Sequence, residues 1–338
     1  MIYGQHLGRH HQEPQDYSRT LIRRRRARWT AMIATASMVL GIVAVFALHS
    51  ARHPAPTGRS VPQRHGLPIT PDSYIGLYTH GVPNSYAGIT AFTKATGIKP
   101  RVVVYYSGWQ EPFKVAFART AANDGAVPLV QMNPAGTKIA AIAAGKYDNY
   151  LNTYANAVRA YHHQVILSFG HEMNGFWYSW GYTHTSPAVF VAAWRHIVTV
   201  FRARGAQNVT WLWTINTIHK KTRVPSPGPW WPGNAYVTWV GIDGYFTNSS
   251  LVFASVFGPT IVYVRSMTRK PILITETSAT PVASQPAKIA DLFAGIRLYS
   301  LLGFVWFNSV DKVDWRLSSP AAITAFRQGA EMYHRVAS

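Results

Sequence analysis

The chain has 338 residues, 48% of them hydrophobic and 13% aromatic, and no cysteine. It can bury a large core, so disorder is excluded for most of its length, and disulfides and thiolate metal sites are excluded outright. Formal net charge is +20, yet ten of the 33 Lys and Arg residues precede residue 70 and the rest are scattered singly, which argues against the clustered basic face that a nucleic-acid partner requires.

Residues 1–28 are polar, end in the run RRRRAR, and read as a basic cytoplasmic tail. Residues 29–48 carry no charge, and about 20 residues at ~1.5 Å each are enough to cross a hydrocarbon core of ~30 Å. Positive charge on the N-terminal side orients such a segment with the tail inside and the remainder outside. An uncleaved transmembrane anchor is the expectation; a signal peptide cut near Val45-Phe46-Ala47 is the alternative. Either places the rest of the chain outside the cytoplasm. Residues 49–71, rich in Pro, Arg, Gly and Ser, read as an extended linker.

The globular domain is expected over 72–338. Apolar, β-branched runs predict strands at 74–79, 101–106, 127–132, 165–169, 209–215, 239–245, 271–275 and 303–308. Three-and-four spacing of apolar residues predicts helices between them, among others at 187–204, 251–267, 285–300 and 319–336. Eight strands each followed by a helix point to a (β/α)8 barrel, because strands apolar along their whole length belong to a sheet buried on both faces. The predicted architecture is thus a TIM barrel preceded by one N-terminal transmembrane helix. A doubly wound open sheet is the alternative, weakened by the lack of a glycine-rich phosphate loop after the first strand.

From Pro71 onward there are four glutamates, Glu111, Glu172, Glu276 and Glu331. Two of them fall at predicted strand ends: Glu172 in GHEMNGFWYSWG (170–181), just after the fourth strand, and Glu276 in PILITETS (271–278), at the seventh. A barrel gathers its strand C-termini on one face, so these two carboxyls should converge there. A salt-bridged structural carboxylate is the alternative for either one alone. As a pair at an aromatic-walled mouth they suit glycoside hydrolysis, in which one carboxyl protonates the leaving oxygen and the other attacks the anomeric carbon or activates water. Trp109 and Trp306 could add sugar platforms, although a barrel Trp is as often core. Asn216, at the end of the fifth strand, is a candidate for a hydroxyl contact or a turn role. Asp243 reads as an orienting residue, and Trp230 and Trp231 sit in a proline-rich loop that could edge the cleft. His184, His196 and His219 lack metal-ligand spacing.

Together with WLWTINT (211–217) and WPGNAYVTWVGIDGY (231–245), the two glutamate motifs resemble glycoside hydrolase family 26, the family of many β-mannanases, over about residues 74–317. The resemblance implies a retaining (β/α)8 enzyme with Glu172 as acid/base and Glu276 as nucleophile. It also assigns substrate contacts to His171 and Trp177, and a hydrogen bond to the nucleophile from Tyr245. The loops after strands two and three are short and lack a match to the mannose-binding residues of well-known mannanases. Mixed-linkage β-glucan and β-1,3-xylan therefore stay open beside β-mannan. The expected partners are a polysaccharide and, through the N-terminal helix, a membrane, with no cofactor, no nucleic acid and no required protein partner. A catalytically silent glycan-binding barrel is the reading from another class, and the presence of both glutamates speaks against it.

Overall fold

The computed structural model describes residues 66–218 and 224–336. The expected tail, transmembrane helix and most of the linker lie outside the described residues, as does His219. Among the described residues no helix is long and apolar enough to cross a membrane.

Strands β1 (Tyr74–Thr79), β2 (Val102–Gly108), β3 (Val127–Asn133), β4 (Val165–Phe169), β5 (Val209–Asn216), β6 (Trp239–Asp243), β7 (Ile272–Thr277) and β8 (Gly303–Asn308) close into one barrel in sequence order. Every neighbouring pair is parallel. Helices α1 (Ala87–Thr96), α2 (Val115–Asn123), α3 (Ile139–Ala143), α4 (Asp148–Tyr161) and α5 (Pro187–Ala203) cover the first half of it. Helices α6 (Phe253–Val256), α7 (Gly258–Met267), α8 (Gln285–Leu298) and α9 (Pro320–Val336) cover the second.

Side-chain alternation divides the apolar residues into two clusters. Tyr74, Val102, Val104, Leu129, Ile166, Leu212, Trp239, Leu273 and Val305 fill the barrel interior, with the rings of Tyr74 and Trp239 5.2 Å apart. The alternate residues, including Leu77, Val103, Leu167, Trp213, Ile274 and Trp306, face the helices. The interior cluster also takes in Leu67, and the Tyr74 hydroxyl donates to the Pro68 carbonyl at 2.9 Å.

Two connections differ from expectation. The span 251–267 is two helices, α6 and α7, because Pro259 has no N–H to give an i−4 carbonyl and its ring blocks that carbonyl, so the helix restarts at Gly258. Between β5 and β6 the described residues hold no α-helix, only a 3₁₀ turn at Gly228–Trp230. Pro225, Pro227, Pro229 and Pro232 remove the donors that a helix needs there. Helix α5 compensates: Trp194 donates to the Tyr236 carbonyl (3.0 Å), Arg195 to Pro232 (2.8 Å) and Arg202 to Ala235 (2.6 Å). Both guanidinium groups also lie over the Tyr236 ring.

The sugar-platform reading of Trp306 is overturned by strand phase. Val305 and Phe307 point into the barrel, so Trp306 points out, is 0% exposed, and packs against Phe326 of α9 with ring centroids 6.0 Å apart. Replacing Trp306 with Ala should cost about 3–5 kcal/mol of stability, as for other large-to-small core changes. Trp306→Phe should cost far less, since the buried indole N–H has no partner to lose. Denaturant unfolding of the two variants checks both; equal, small losses would mean the site is not core.

Candidate active site

The barrel mouth is built by residues in the inward phase at the strand C-termini. On β7 that phase alone would not deliver Glu276, because Ile272 and Ile274 face the helices and Glu276 shares their parity. A bulge corrects it. Ile242 pairs with Ile274 and Asp243 with Glu276, so β7 carries one extra residue, Thr275, opposite β6. The pairing to β8 shifts in the same place. Such an insertion re-aims the following side chain, and Thr275 and Glu276 both end up at the mouth.

Glu172 arrives by a different device. After β4 the chain turns through Gly170 (φ +55°) and Glu172 (φ +53°). For a non-glycine residue that left-handed conformation costs about 1 to 3 kcal/mol and persists only where its surroundings enforce it. Here they do. The Glu172 amide donates to the Thr214 carbonyl at 3.0 Å. Asn174 clasps the end of β5, accepting from the Asn216 amide and donating to the Asn216 carbonyl, both at 2.9 Å. The Asn216 side chain donates to Glu172 Oε1 at 2.5 Å, and Trp177 Nε1 donates to Oε2 at 2.7 Å. Trp177 can fold back over its own loop because residue 175 is glycine: a Cβ there would come within 2.4 Å of the indole.

Glu276 is held from both sides by phenols. Tyr245 donates to Oε2 at 2.8 Å and Tyr106, from β2, donates to Oε1. Asp243, paired with Glu276 across β6 and β7, is fully buried, with Oδ1 accepting from Thr275 at 2.5 Å and Oδ2 without a donor. No Lys or Arg among the described residues forms an ion pair with any of the three carboxyls.

Three desolvated carboxyls without a cation cannot all stay ionised. Burial, reinforced by the Glu276 charge, raises Glu172 to about 7 against the pull of its two N–H donors. Asp243 is raised well above its ordinary value, by burial first and then by the Glu276 and Glu172 charges. Burial also raises Glu276, but the Tyr106 and Tyr245 hydroxyls act in the opposite direction. Glu172 is thus raised toward neutrality with the Glu276 charge among the causes, whereas the donors on Glu276 favour its ionised form. This is an acid beside a carboxylate, which can protonate a leaving group and attack or activate an attacking oxygen.

The other expected site residues divide. His171 is buried beside this pair, neutral because burial lowers it to about 3, with Nε2 3.1 Å from the Tyr178 hydroxyl. Trp177 remains 43% exposed and stands against Phe176, also exposed. Trp109 is not at the mouth: its ring lies among Tyr147 and Tyr150 of the helical layer and Phe169, the helix-facing residue of β4. The aromatic surface near Glu276 comes instead from residues sequence reasoning passed over. Trp315 is 4.8 Å and Phe307 6.0 Å from the Tyr245 ring, and Tyr78 stacks on Phe307 at 4.7 Å. Tyr106 was also missed, although it shares the inward phase of Val102 and Val104 and stands near the end of β2. Among the described residues no group of His, Asp and Glu has the arrangement to hold a metal ion.

The sequence profile of glycosyl hydrolase family 26 matches residues 91–267, more than half of the chain. The chain belongs to glycosyl hydrolase family 26. Among curated relatives, Endoglucanase H of Acetivibrio thermocellus is 30% identical over 265 residues, 73% of this chain and 29% of that protein. A β-1,3-xylanase of Vibrio sp. is 27% identical over 152 residues, 45% of this chain and 30% of the xylanase. The chain thus spans less than a third of either relative. Among solved structures, the endo-β-1,4-mannanase of Cellulomonas fimi superposes with a TM-score of 0.61 at 18% identity, covering 76% of this chain and 70% of that one. The YdhT protein of Bacillus subtilis gives 0.60 at 17% identity, covering 76% and 85%. At that identity the structures establish the shared barrel.

The protonation pattern of this family 26 barrel is directly measurable. With glutamate carboxyls labelled with carbon-13, Glu172, assigned through Glu172→Gln, should titrate near pH 7. Asn216→Ala removes a donor that favours the ionised form, so the titration should move to higher pH; an unchanged or lowered midpoint would refute the hydrogen-bond account.

Proposed function

We propose that the domain is a retaining endo-β-glycanase that cleaves a β-linked polysaccharide by double displacement, with Glu172 as acid/base and Glu276 as nucleophile. The observation that carries this reading is the divergent environment of two neighbouring glutamates: burial and the Glu276 charge raise Glu172 to about 7, while two phenols bonded to Glu276 oppose the rise that burial causes there. In the first step a Glu276 oxygen bonds to the anomeric carbon while the glycosidic C–O bond breaks, and the departing oxygen takes the Glu172 proton. In the second step Glu172, now a carboxylate, removes a proton from water as that water displaces the Glu276 ester. Trp177 offers an exposed indole face beside Glu172, suited to the apolar face of the departing sugar, while Tyr245, Trp315 and Phe307 wall the opposite side.

The polymer is a finer matter. The resemblance of the motifs pointed first to β-1,4-mannan. A β-glucan has the support of the relative with the greater identity, which is named an endoglucanase, and a β-1,3-xylan that of the second relative's name. Reducing-sugar release from purified β-mannan, mixed-linkage β-glucan, cellulose and β-1,3-xylan separates these, and activity on none would refute the hydrolase reading.

Glu276→Ala should abolish hydrolysis on every substrate. Glu172→Ala should lower turnover by roughly 10²- to 10⁴-fold on polysaccharide, the usual worth of a general acid, but far less on aryl glycosides whose leaving groups need no proton. Added azide should then accelerate that variant and yield a β-glycosyl azide, and equal loss on all substrates without azide rescue would sink the role assignment.

The expected anchor is carried forward as part of the same proposal, on the strength of the uncharged run 29–48 behind RRRRAR. Protease added to intact cells should release the barrel by cutting within 53–71, whereas protection until lysis would contradict an outward-facing domain.

A further inference from the structure

The proposed roles of the two glutamates leave open what decides which one keeps the proton. Both are buried, at 7% and 8% exposure, and neither has a cationic partner among the described residues. Each accepts two neutral hydrogen bonds. The donors differ in kind. Glu172 receives an indole N–H and a carboxamide N–H, which are weakly acidic, whereas Glu276 receives two phenol O–H groups, which are far more acidic and therefore stronger donors to a carboxylate.

We propose that Tyr106 is a positioning residue for the nucleophile, acting with Tyr245 to make Glu276 the ionised member of the pair. This rests on the glycanase reading for its kinetic meaning, but the hydrogen bonds to the two carboxyls do not depend on that reading. Tyr106 belongs to β2 and Glu276 to β7, strands separated in the barrel by β1 and β8. The phenol therefore reaches across the mouth. Its ring is fixed on the way by the edge of Tyr78, 5.1 Å away, and by the neutral ring of His171, 5.6 Å away on the Glu172 side. The hydroxyl ends on Glu276 Oε1, opposite the Oε2 that Tyr245 occupies.

Two donors on opposite oxygens fix the plane of the carboxylate as well as its charge, so that a lone pair stays aimed at the anomeric carbon. Tyr245 alone could leave the group free to rotate about its last bond. Asp243 does not share the task, since its Oδ1 accepts from Thr275 and its Oδ2 makes no hydrogen bond to Glu276. With Tyr106 removed, Glu276 would lose one of its two charge-stabilising contacts while Glu172 kept both of its own. The two carboxyls would then compete for one proton.

The test uses the whole chain with carbon-13-labelled glutamate carboxyls, of which the sequence has five. In Tyr106→Phe the Glu276 midpoint should move to higher pH and that of Glu172 to lower pH, with the melting temperature little changed. Tyr106→3-fluorotyrosine, a more acidic donor of nearly the same shape, should move Glu276 the other way and keeps the test open should the Phe variant fold poorly. For a chain active on any of the glycans, the acid limb of kcat/KM should shift upward in Tyr106→Phe, with about tenfold loss of kcat/KM on the acid side of the optimum. A Glu276 titration that neither variant moves overturns the proposal whether or not the chain is active. Opposite shifts in a chain inert toward every glycan would uphold it and overturn the glycanase reading instead.

Discussion

Three carboxyl groups share a desolvated barrel mouth without a cationic side chain to pair with any of them among the described residues, and most of the local architecture answers that constraint. A lysine or arginine would neutralise one charge but would also fix it permanently. Neutral donors leave the protons distributable. Burial raises all three carboxyls, Glu172 to about 7, and only Glu276 has two phenols that favour its ionised form. The same aromatic side chains are therefore wall and solvent at once. Trp177, Tyr106 and Tyr245 each present an apolar ring to the cleft and a single polar hydrogen to a carboxylate, which keeps water out while replacing its hydrogen bonds.

Placing the groups has a conformational cost that the backbone bears. Glu172 sits in a left-handed conformation and Glu276 follows a one-residue bulge. Both irregularities lie at the C-terminal ends of strands whose lower portions pack regularly around Tyr74 and Trp239. The Asn174 carboxamide, which mimics a strand by bonding both the N–H and the C=O of Asn216, offsets part of that cost. It also links the two sides of the acid: Asn216 positions the Glu172 carboxyl while Asn174, two residues beyond Glu172, positions Asn216.

Strand existence and order were legible in the sequence because a strand buried on both faces must be apolar throughout, and all eight runs are. That property also hides strand phase. In GFVWFN either Trp306 or Phe307 could face the mouth, and only the register against β1 assigns Phe307 inward and Trp306 outward. Trp109 was misplaced for a related reason, since a residue just past a strand can turn to either layer. Glu276 was identified by chemistry while its parity pointed to the helices, a conflict that a bulge resolves and that no single-sequence periodicity records. Tyr106 was invisible as a functional residue because a tyrosine in an apolar run is ordinary; its meaning comes from Glu276, 170 residues away. Among the described residues the β5–β6 connection holds no α-helix, because four prolines withhold the donors.

Arginine use on the outer surface bears on the large positive charge. Several cationic side chains in the barrel end on backbone carbonyls: Arg159 on Arg204, Arg195 on Pro232, Arg202 on Ala235, Arg265 on Lys270, Lys288 on Leu251 and Arg327 on Thr96. A carbonyl satisfies the hydrogen bond and leaves the charge uncancelled, unlike the carboxylates that meet Lys99, Lys114 and Arg316. Cationic groups recruited as mechanical staples thus accumulate as net charge. Copies of the domain repel one another in solution on that account, and dilute salt, by screening the repulsion, governs their colloidal behaviour more than it governs the interior of the cleft.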